Sequence, residues 1–407
     1  MSRKKPRILL YSHDTFGLGH LRRTLAIGHQ LAQDLPTAHQ LLVTGSMVAG
    51  AFALPRQLDL LKLPALSKRS SGKYVARALP LKLSDTLRWR ERLLLDALTS
   101  FAPDVVLVDK APAGVQGELL PLLRHVKTWM PKTRLVLGMR DIEDDPATTA
   151  REWAEWDIPR LQAEVYDHIL YYGDPTVFNP ADAYDMSAAA RARLVACGYL
   201  GRSLDEVDRP TEHVRRELGL TDQPLVVVTA GGGGDGFALL RAITDAVVRW
   251  PGGAPFHALV VTGPLMAANK RQVLRQAQAA SDRLTVLEFT PRLFTYMAAA
   301  DLIIGMAGYN TVVEALSLGK RTLYVPRTRP RQEQLIRAER LADRGWARLI
   351  LPETLSADTL AAQISLALSG PAPHITASLD GLTTVGATIA GLFDLQPQSA
   401  LALGRPA

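Results

Sequence analysis

The 407 residues predict an α/β fold, with two doubly wound, Rossmann-like domains facing across a cleft. Three observations lead there. Short apolar runs alternate with helical or loop segments twice over, once in each half of the chain. The first run of each half is followed by a glycine-bearing loop, SHDTFGLGH at 12–20 and AGGGGDGF at 230–237. Between the halves, GYLGRSLDEVDRPT at 198–211 is polar and carries Gly and Pro, as an interdomain linker does.

Taken in order, strands are expected at 8–11, 40–44, 105–109, 134–139 and 168–172, within an N-terminal domain of residues 1–200. A linker at 201–214 follows. A second set at 225–230, 256–262, 284–289, 302–305, 322–325 and 347–351 belongs to a C-terminal domain of residues 215–372. The GPAP stretch near 370 ends its helices. The apolar run 382–393 is expected to be a last helix, in a segment spanning 373–395, with 396–407 a loose tail.

Composition narrows the function. Cys197 is the only cysteine, which excludes internal disulfides and cysteine-based metal sites. The nine histidines show no ligand spacing. No apolar stretch approaches membrane-spanning length, and the basic N-terminus precedes too short an apolar run for a signal peptide. The expectation is a cytoplasmic protein. Net charge is +7, but residues 52–98 alone hold ten Lys or Arg against Asp59, Asp85, Glu91 and Asp96. That local surplus fits an anionic acceptor, peripheral contact with an anionic membrane face, or simply a solvated helical face. Nucleic acid is not expected, because few large aromatics accompany the charges.

Three loops carry candidate chemistry. The first lies at the carboxyl end of the first strand, where open α/β sheets bind ligands, and opens a helix with Leu21, Leu25 and Ile27 on its apolar side. Arg22 and Arg23 add positive charge there. In the second, Gly231, Gly232, Gly233 and Gly234 let the backbone approach a charged group and form a nest of N–H donors. No Lys follows, which disfavours a P-loop, and Asp235 is expected to cap the helix beginning near Gly236. The third is GMAGYNTVVEALSLGKRTLYVPRTRPRQEQLIRA at 305–338. Its small-residue loop opens a helix, for which Asn310 is the expected cap, and such a helix end suits phosphate. Glu314, one turn inside and leaning back toward the N-terminus, can reach a ribose diol beside that phosphate. A strand then delivers Pro326 and the polar run 327–334 to the same edge.

This third segment resembles the C-terminal domain of GT-B glycosyltransferases, particularly those like the peptidoglycan N-acetylglucosaminyltransferase MurG. The resemblance implies donor phosphate at Ala307, Gly308, Tyr309, Asn310 and Thr311, ribose at Glu314, and donor sugar at Glu333 and Gln334. It implies backbone contacts to the donor base at Phe289 and Thr290, with UDP the default nucleotide. Gly17, Gly19 and His20 match the family's N-terminal glycine loop, with fewer glycines. The implied activity is inverting transfer of a hexosyl or N-acetylhexosaminyl group from a nucleotide-sugar donor to an acceptor hydroxyl, with no metal or other cofactor. Arg337 stands where the family often has Asn. With Arg327, Arg329 and Arg331 it would suit an acidic donor sugar such as a uronate.

Such a reaction needs a stabilised diphosphate, a base for the acceptor hydroxyl, and exclusion of water. His20 is the leading base, with Asp109 placed to orient it. His13 competes for the role, and Asp14 or Asp109 could act directly. Glu143–Asp144–Asp145 imitates a metal-binding cluster, but it belongs to the first domain whereas the donor loops belong to the second. Arg140, Asp141 and Asp145 are expected on the acceptor side, or else in a salt-bridged loop. The acceptor is unidentified, with an anionic or lipid-linked molecule in view. A nucleotide-sugar epimerase or hydrolase of the same fold is the alternative enzyme. A non-catalytic sugar-nucleotide-binding partner is the alternative without chemistry.

Overall fold

The computed structural model describes residues 5–13, 19–68, 74–77 and 79–393. Gly17, Asp14 and the tail 396–407 lie outside the described residues. The first half holds β1 (Arg7–Ser12), β2 (His39–Thr44), β3 (Leu58–Lys62), a short antiparallel pair β4 (Leu66–Lys68) and β5 (Tyr74–Ala76), β6 (Val105–Asp109), β7 (Arg134–Arg140), β8 (His168–Tyr172) and β9 (Leu194–Ala196). Seven of these form one parallel sheet in the order β3-β2-β1-β6-β7-β8-β9. The second half holds β10 (Leu225–Thr229), β11 (His257–Val261), β12 (Leu284–Leu287), β13 (Leu302–Gly305), β14 (Thr322–Tyr324) and β15 (Arg348–Leu349), in the order β12-β11-β10-β13-β14-β15. Both orders reverse direction once, between β1 and β6 and between β10 and β13. Ligands of doubly wound sheets bind outside the carboxyl ends of strands at such reversals.

The central strands are continuous apolar runs because helices cover both of their faces. Every residue of β6, β10 and β11 is buried. The strands that sequence reading missed are edge or peripheral ones. In β3 only Leu58 is buried and Asp59 and Lys62 face solvent, while none of the three residues of β9 is buried. Residues 211–217, assigned in part to the linker by sequence, form a helix whose Val214 is fully buried against Leu225, Met297 and Ile303 of the second half.

The last helix, Gly381–Gly391, returns to the first half and packs along the helix Gly19–Asp34. Val385 and Ile389 share a core with Leu31, Leu35 and Ala38. Gly386 leaves room for the Asp34 carboxylate: a Cβ would stand 1.8 Å from Asp34 Oδ2, so a larger residue would displace that side chain. The two chain crossings lie side by side, with Tyr199 N donating to Ser378 O and Gly381 N to Tyr199 O. A single apolar core joins Leu21, Tyr172 and Tyr199 to Ala307, Tyr309, Val312 and Tyr324, so the two carboxyl edges face each other in contact.

Candidate active site

Adjacent strands β1 and β6 bring His20 and Asp109 together. His20 is the second residue of the helix after β1, and Asp109 is the last residue of β6. His20 Nδ1 lies 2.7 Å from Asp109 Oδ2. Arg23, one turn further along, donates through Nε and Nη2 to the two carboxylate oxygens, both at 2.7 Å, and its Nη2 lies 2.9 Å from His20 Nδ1. Burial alone would raise the Asp109 pKa. The Arg23 charge and the His20 bond outweigh burial and hold the carboxyl well below its usual range. A short contact from an ionised carboxylate assigns the proton to Nδ1 and makes Nε2 the basic nitrogen. His13 meets His20 edge-on, with ring centroids 5.3 Å apart. Burial first, then the charges of His20 and Lys110, push its pKa well down, so it is neutral near pH 7.

The loops expected to bind a donor follow β10 and β13 and so flank the second reversal. Gly231 and Gly233 take positive φ, +60° and +87°. A Cβ on Gly233 would stand 2.1 Å from Thr262 O, so only glycine fits. Gly232 O accepts from Leu265 N, which docks the glycine loop on the turn after β11. Asp235 does not cap the helix Phe237–Val248: Gly236 precedes it without a side-chain cap, and Asp235 Oδ2 instead accepts from Arg327 Nη1 at 2.8 Å. After β13, Ala307 takes φ +58° and Gly308 is the residue before the helix Tyr309–Ser317. Asn310 is therefore inside that helix rather than its cap, and its Nδ2 donates to Gly19 O at 3.4 Å. Tyr309 is buried, and its hydroxyl donates to Tyr172 O at 2.9 Å, so this side chain joins the two halves. Thr311 packs its methyl against Gly305. Beyond β12, Phe289 is exposed and Thr290 Oγ1 accepts from Arg292 N.

Glu314 is 2% exposed, and its Oε1 accepts from Arg22 Nη2 of the first half and from Arg202 Nη1 at 3.1 Å. Glu333 is also buried, and its Oε1 accepts from Arg327 Nη2 at 2.5 Å. Burial would raise its pKa, but the charges of Arg140, Arg327 and Arg337 outweigh it and hold the carboxyl at about 2. Gln334 Oε1 accepts from Arg327 N at 3.0 Å.

At the seam the salt-bridged alternative describes Asp141, and the expectation that the arginines suit an acidic sugar is corrected. Asp141 does not face an acceptor: it is fully buried and holds Arg337 through two bonds of 2.6 and 2.7 Å. The third bond of Arg337, from Nη1, goes to Ala307 O at 2.7 Å. Arg140 braces its own loop by donating to Ile142 O. The arginines expected to suit an acidic sugar are largely committed to the chain's own acids. Arg337 pairs with Asp141, Arg327 with Asp235 and Glu333, and Arg331 with Glu152 and Asp144. Sequence spacing could not show this, because the partners lie in the other half or across a loop. The acidic run is likewise dispersed. Glu143 pairs with Lys110, Asp144 Oδ1 accepts from Gln332 N, and Asp145 caps the helix Pro146–Glu155. Among the described residues, no group of three or more His, Cys, Asp or Glu is placed to hold a metal ion.

Sequence reading missed the roles of Arg23 and Lys110. Lys110 follows Asp109 with φ +64°, a strained conformation for a lysine, and directs Nζ to Glu143 Oε2 at 3.1 Å. Burial, opposed by Glu143 and aided by Arg140 and Arg331, lowers its pKa. His13 Nδ1, Glu143 Oε1, Asp144 Oδ2, Glu314 Oε2, Arg327 Nε and Glu333 Oε2 are buried without a hydrogen-bond partner among the described residues. All six belong to the facing edges of the two sheets. Buried polar atoms are nearly always paired, so these six are open to a ligand; Gln40, Thr149, His168 and Tyr172 hold the other such atoms among the described residues.

Comparison with known proteins agrees with this geometry. Residues 225–378 match the family described as the glycosyltransferase family 28 C-terminal domain. A UDP-N-acetylglucosamine--N-acetylmuramyl-(pentapeptide) pyrophosphoryl-undecaprenol N-acetylglucosamine transferase of Desulforudis audaxviator is 29% identical over 188 residues, 45% of this chain and 50% of that protein. The chain thus spans about half the length of the first curated relatives it matches. Among solved structures, MurG of Acinetobacter baumannii superposes with a TM-score of 0.58 at 14% identity, covering 95% of this chain and 100% of that one. A UDP-N-acetylglucosamine 2-epimerase of Listeria monocytogenes, described as putative, superposes at 0.64 and 12% identity, covering 98% and 100%. The chain has a GT-B fold similar to that of MurG, and its residues 225–378 are similar to the glycosyltransferase family 28 C-terminal domain.

Proposed function

We propose that the protein transfers an N-acetylhexosaminyl or related hexosyl group from a UDP-sugar to an acceptor hydroxyl, with inversion and without a metal. The observation that carries this reading is the His20–Asp109 dyad on one sheet edge, set against the glycine loops and helix end of the other. In the proposed step His20 Nε2 takes the acceptor proton as the hydroxyl oxygen attacks the anomeric carbon. The bond from that carbon to the donor phosphate breaks, and its electron pair leaves with the diphosphate. Backbone N–H groups of Gly231–Gly234 and the amino end of the helix Tyr309–Ser317 stabilise the departing charge. Glu314 binds the ribose, Glu333 and Gln334 the sugar, and Asp109 stabilises the imidazolium that forms. His20→Ala should lower turnover by about 10²–10⁴-fold while leaving UDP affinity within about threefold. A fully active variant would remove His20 as the base.

The relatives' names specify an acceptor on pyrophosphoryl-undecaprenol, and a lipid-linked, anionic acceptor is the proposal for this chain. Exposed Leu79, Leu81 and Trp89 lie beside exposed Lys82, Arg88 and Arg92, a mixed apolar and basic surface that suits an anionic membrane face. No helix among the described residues is long and apolar enough to cross a membrane. Epimerases share the fold, so the purified protein should first be given UDP-N-acetylglucosamine alone. Rapid conversion to an epimer or to free sugar would favour that second reading.

A further inference from the structure

Arg22 occupies the carboxylate that the donor-site reading gives to the ribose. It lies between His20 and Arg23 on the helix Gly19–Asp34, yet its guanidinium crosses to the other half and bonds Glu314 Oε1. The amino ends of two helices meet here: Asn310, in the first turn of the helix Tyr309–Ser317, donates to the carbonyl of Gly19, the first residue of the other helix. Both helices direct positive dipole ends to one junction, which suits a diphosphate better than either end alone. Arg22 and Glu314 each stand one turn inside their own helix and lean back toward that junction. Glu314 offers a ribose diol one carboxylate oxygen without a partner and one that carries two arginines.

The two arginines are not equivalent. Arg202 comes from the interdomain crossing, is tied also to Glu206 at 2.7 Å, and packs 4.1 Å over the Phe294 ring. Arg22 has a third of its side chain exposed and Glu314 as its one ion-pair partner among the described residues. Arg22 is therefore the one that can yield. We propose that Arg22 is a donor-sensing residue that exchanges Glu314 for the diphosphate when a nucleotide binds. The exchange frees Glu314 for the ribose and draws the helix carrying His20 and Arg23 onto the donor. The inference rests on the donor-site reading above and adds a residue of the first half to that site.

A nucleoside without phosphates breaks the Arg22–Glu314 pair and returns nothing to the arginine. A nucleoside diphosphate returns a stronger, charge-assisted contact. Arg22→Ala should therefore weaken UDP binding and leave uridine binding equal or tighter, narrowing the UDP-over-uridine preference by about tenfold or more. Titration calorimetry on the full chain with UDP, UMP and uridine reads that ratio, with thermal melting to confirm that each variant is folded. Arg202→Ala, which also strips Glu314 of a cation, should shift UDP and uridine alike and keep the ratio. A ratio unchanged in Arg22→Ala, with both ligands still binding, overturns the exchange. Failure of the wild-type protein to bind UDP overturns the donor-site reading itself, a distinguishable result.

Discussion

The buried pair of Asp141 and Arg337 supports a prediction about how the two halves are held. Both side chains are fully buried, and they join the loop after β7 to the helix Glu333–Ala342 of the other half. Asp141→Asn keeps the volume but leaves a buried guanidinium without its counter-charge. Breaking one side of such a pair costs about 3–5 kcal/mol. An unfolding entropy of about 2.1 cal/mol/K per residue gives a 407-residue chain about 0.85 kcal/mol/K, so the melting temperature should fall by about 4–6 °C. Replacing the pair with apolar groups, Asp141→Leu with Arg337→Met, removes the stranded charge and should melt above either single variant, since well-packed apolar replacements of buried ion pairs are often near neutral. Differential scanning calorimetry of wild type, Asp141→Leu, Arg337→Met and the double variant closes a double-mutant cycle, with Asp141→Asn measured beside it. If Asp141→Asn melts within about 1 °C of wild type, or the two single effects simply add, the pair does not hold the seam.

Other outcomes test separate parts of the site. Asp109→Asn should reduce turnover by about 10²-fold or more without weakening UDP binding, since it acts on the imidazole; equal losses in both would point to general damage. Gly233→Ala forces a Cβ against Thr262 O at φ +87°, and should cost about 1–3 kcal/mol and weaken UDP binding; an unchanged melting curve and Kd would refute the tight loop. Glu333 has its pKa depressed from 4.5 to about 2, so its contribution to stability is complete above pH 4.5 and disappears as the pH falls toward 2. The gap in melting temperature between wild type and Glu333→Gln should therefore close across that window, and a gap constant from pH 7 to 2 would contradict it. Lys82→Ala with Arg92→Ala should weaken sedimentation with phosphatidylglycerol vesicles by about tenfold or more, at about 1 kcal/mol per cation. Equal sedimentation would discard that face.

The fold was legible wherever burial is two-sided. The strands at 105–109, 168–172 and 302–305 were read to the residue because helices on both faces demand uninterrupted apolar runs. β3 and β9 escaped because edge strands bury too little to leave that pattern. The His20–Asp109 pair was legible as a candidate because a loop residue and a strand end both fall at one sheet reversal, and the structure brings them to 2.7 Å. Arg23, Lys110 and Arg22 were not assigned these partners. Their meaning lies in partners 86, 33 and 292 residues away, and no local spacing encodes such a distance.

The sequence by itself determined the α/β alternation and the two glycine loops, since these depend on local periodicity and on backbone freedom, and it carried the resemblance of residues 305–338 to GT-B glycosyltransferases. Only the tertiary structure decided which charges are spoken for. An arginine in the chain is simply a cation until the fold sets a carboxylate against it. Here the fold commits Arg337, Arg327 and Arg331 to the seam, Arg23 to the dyad and Arg22 to Glu314, through burial and long-range pairing.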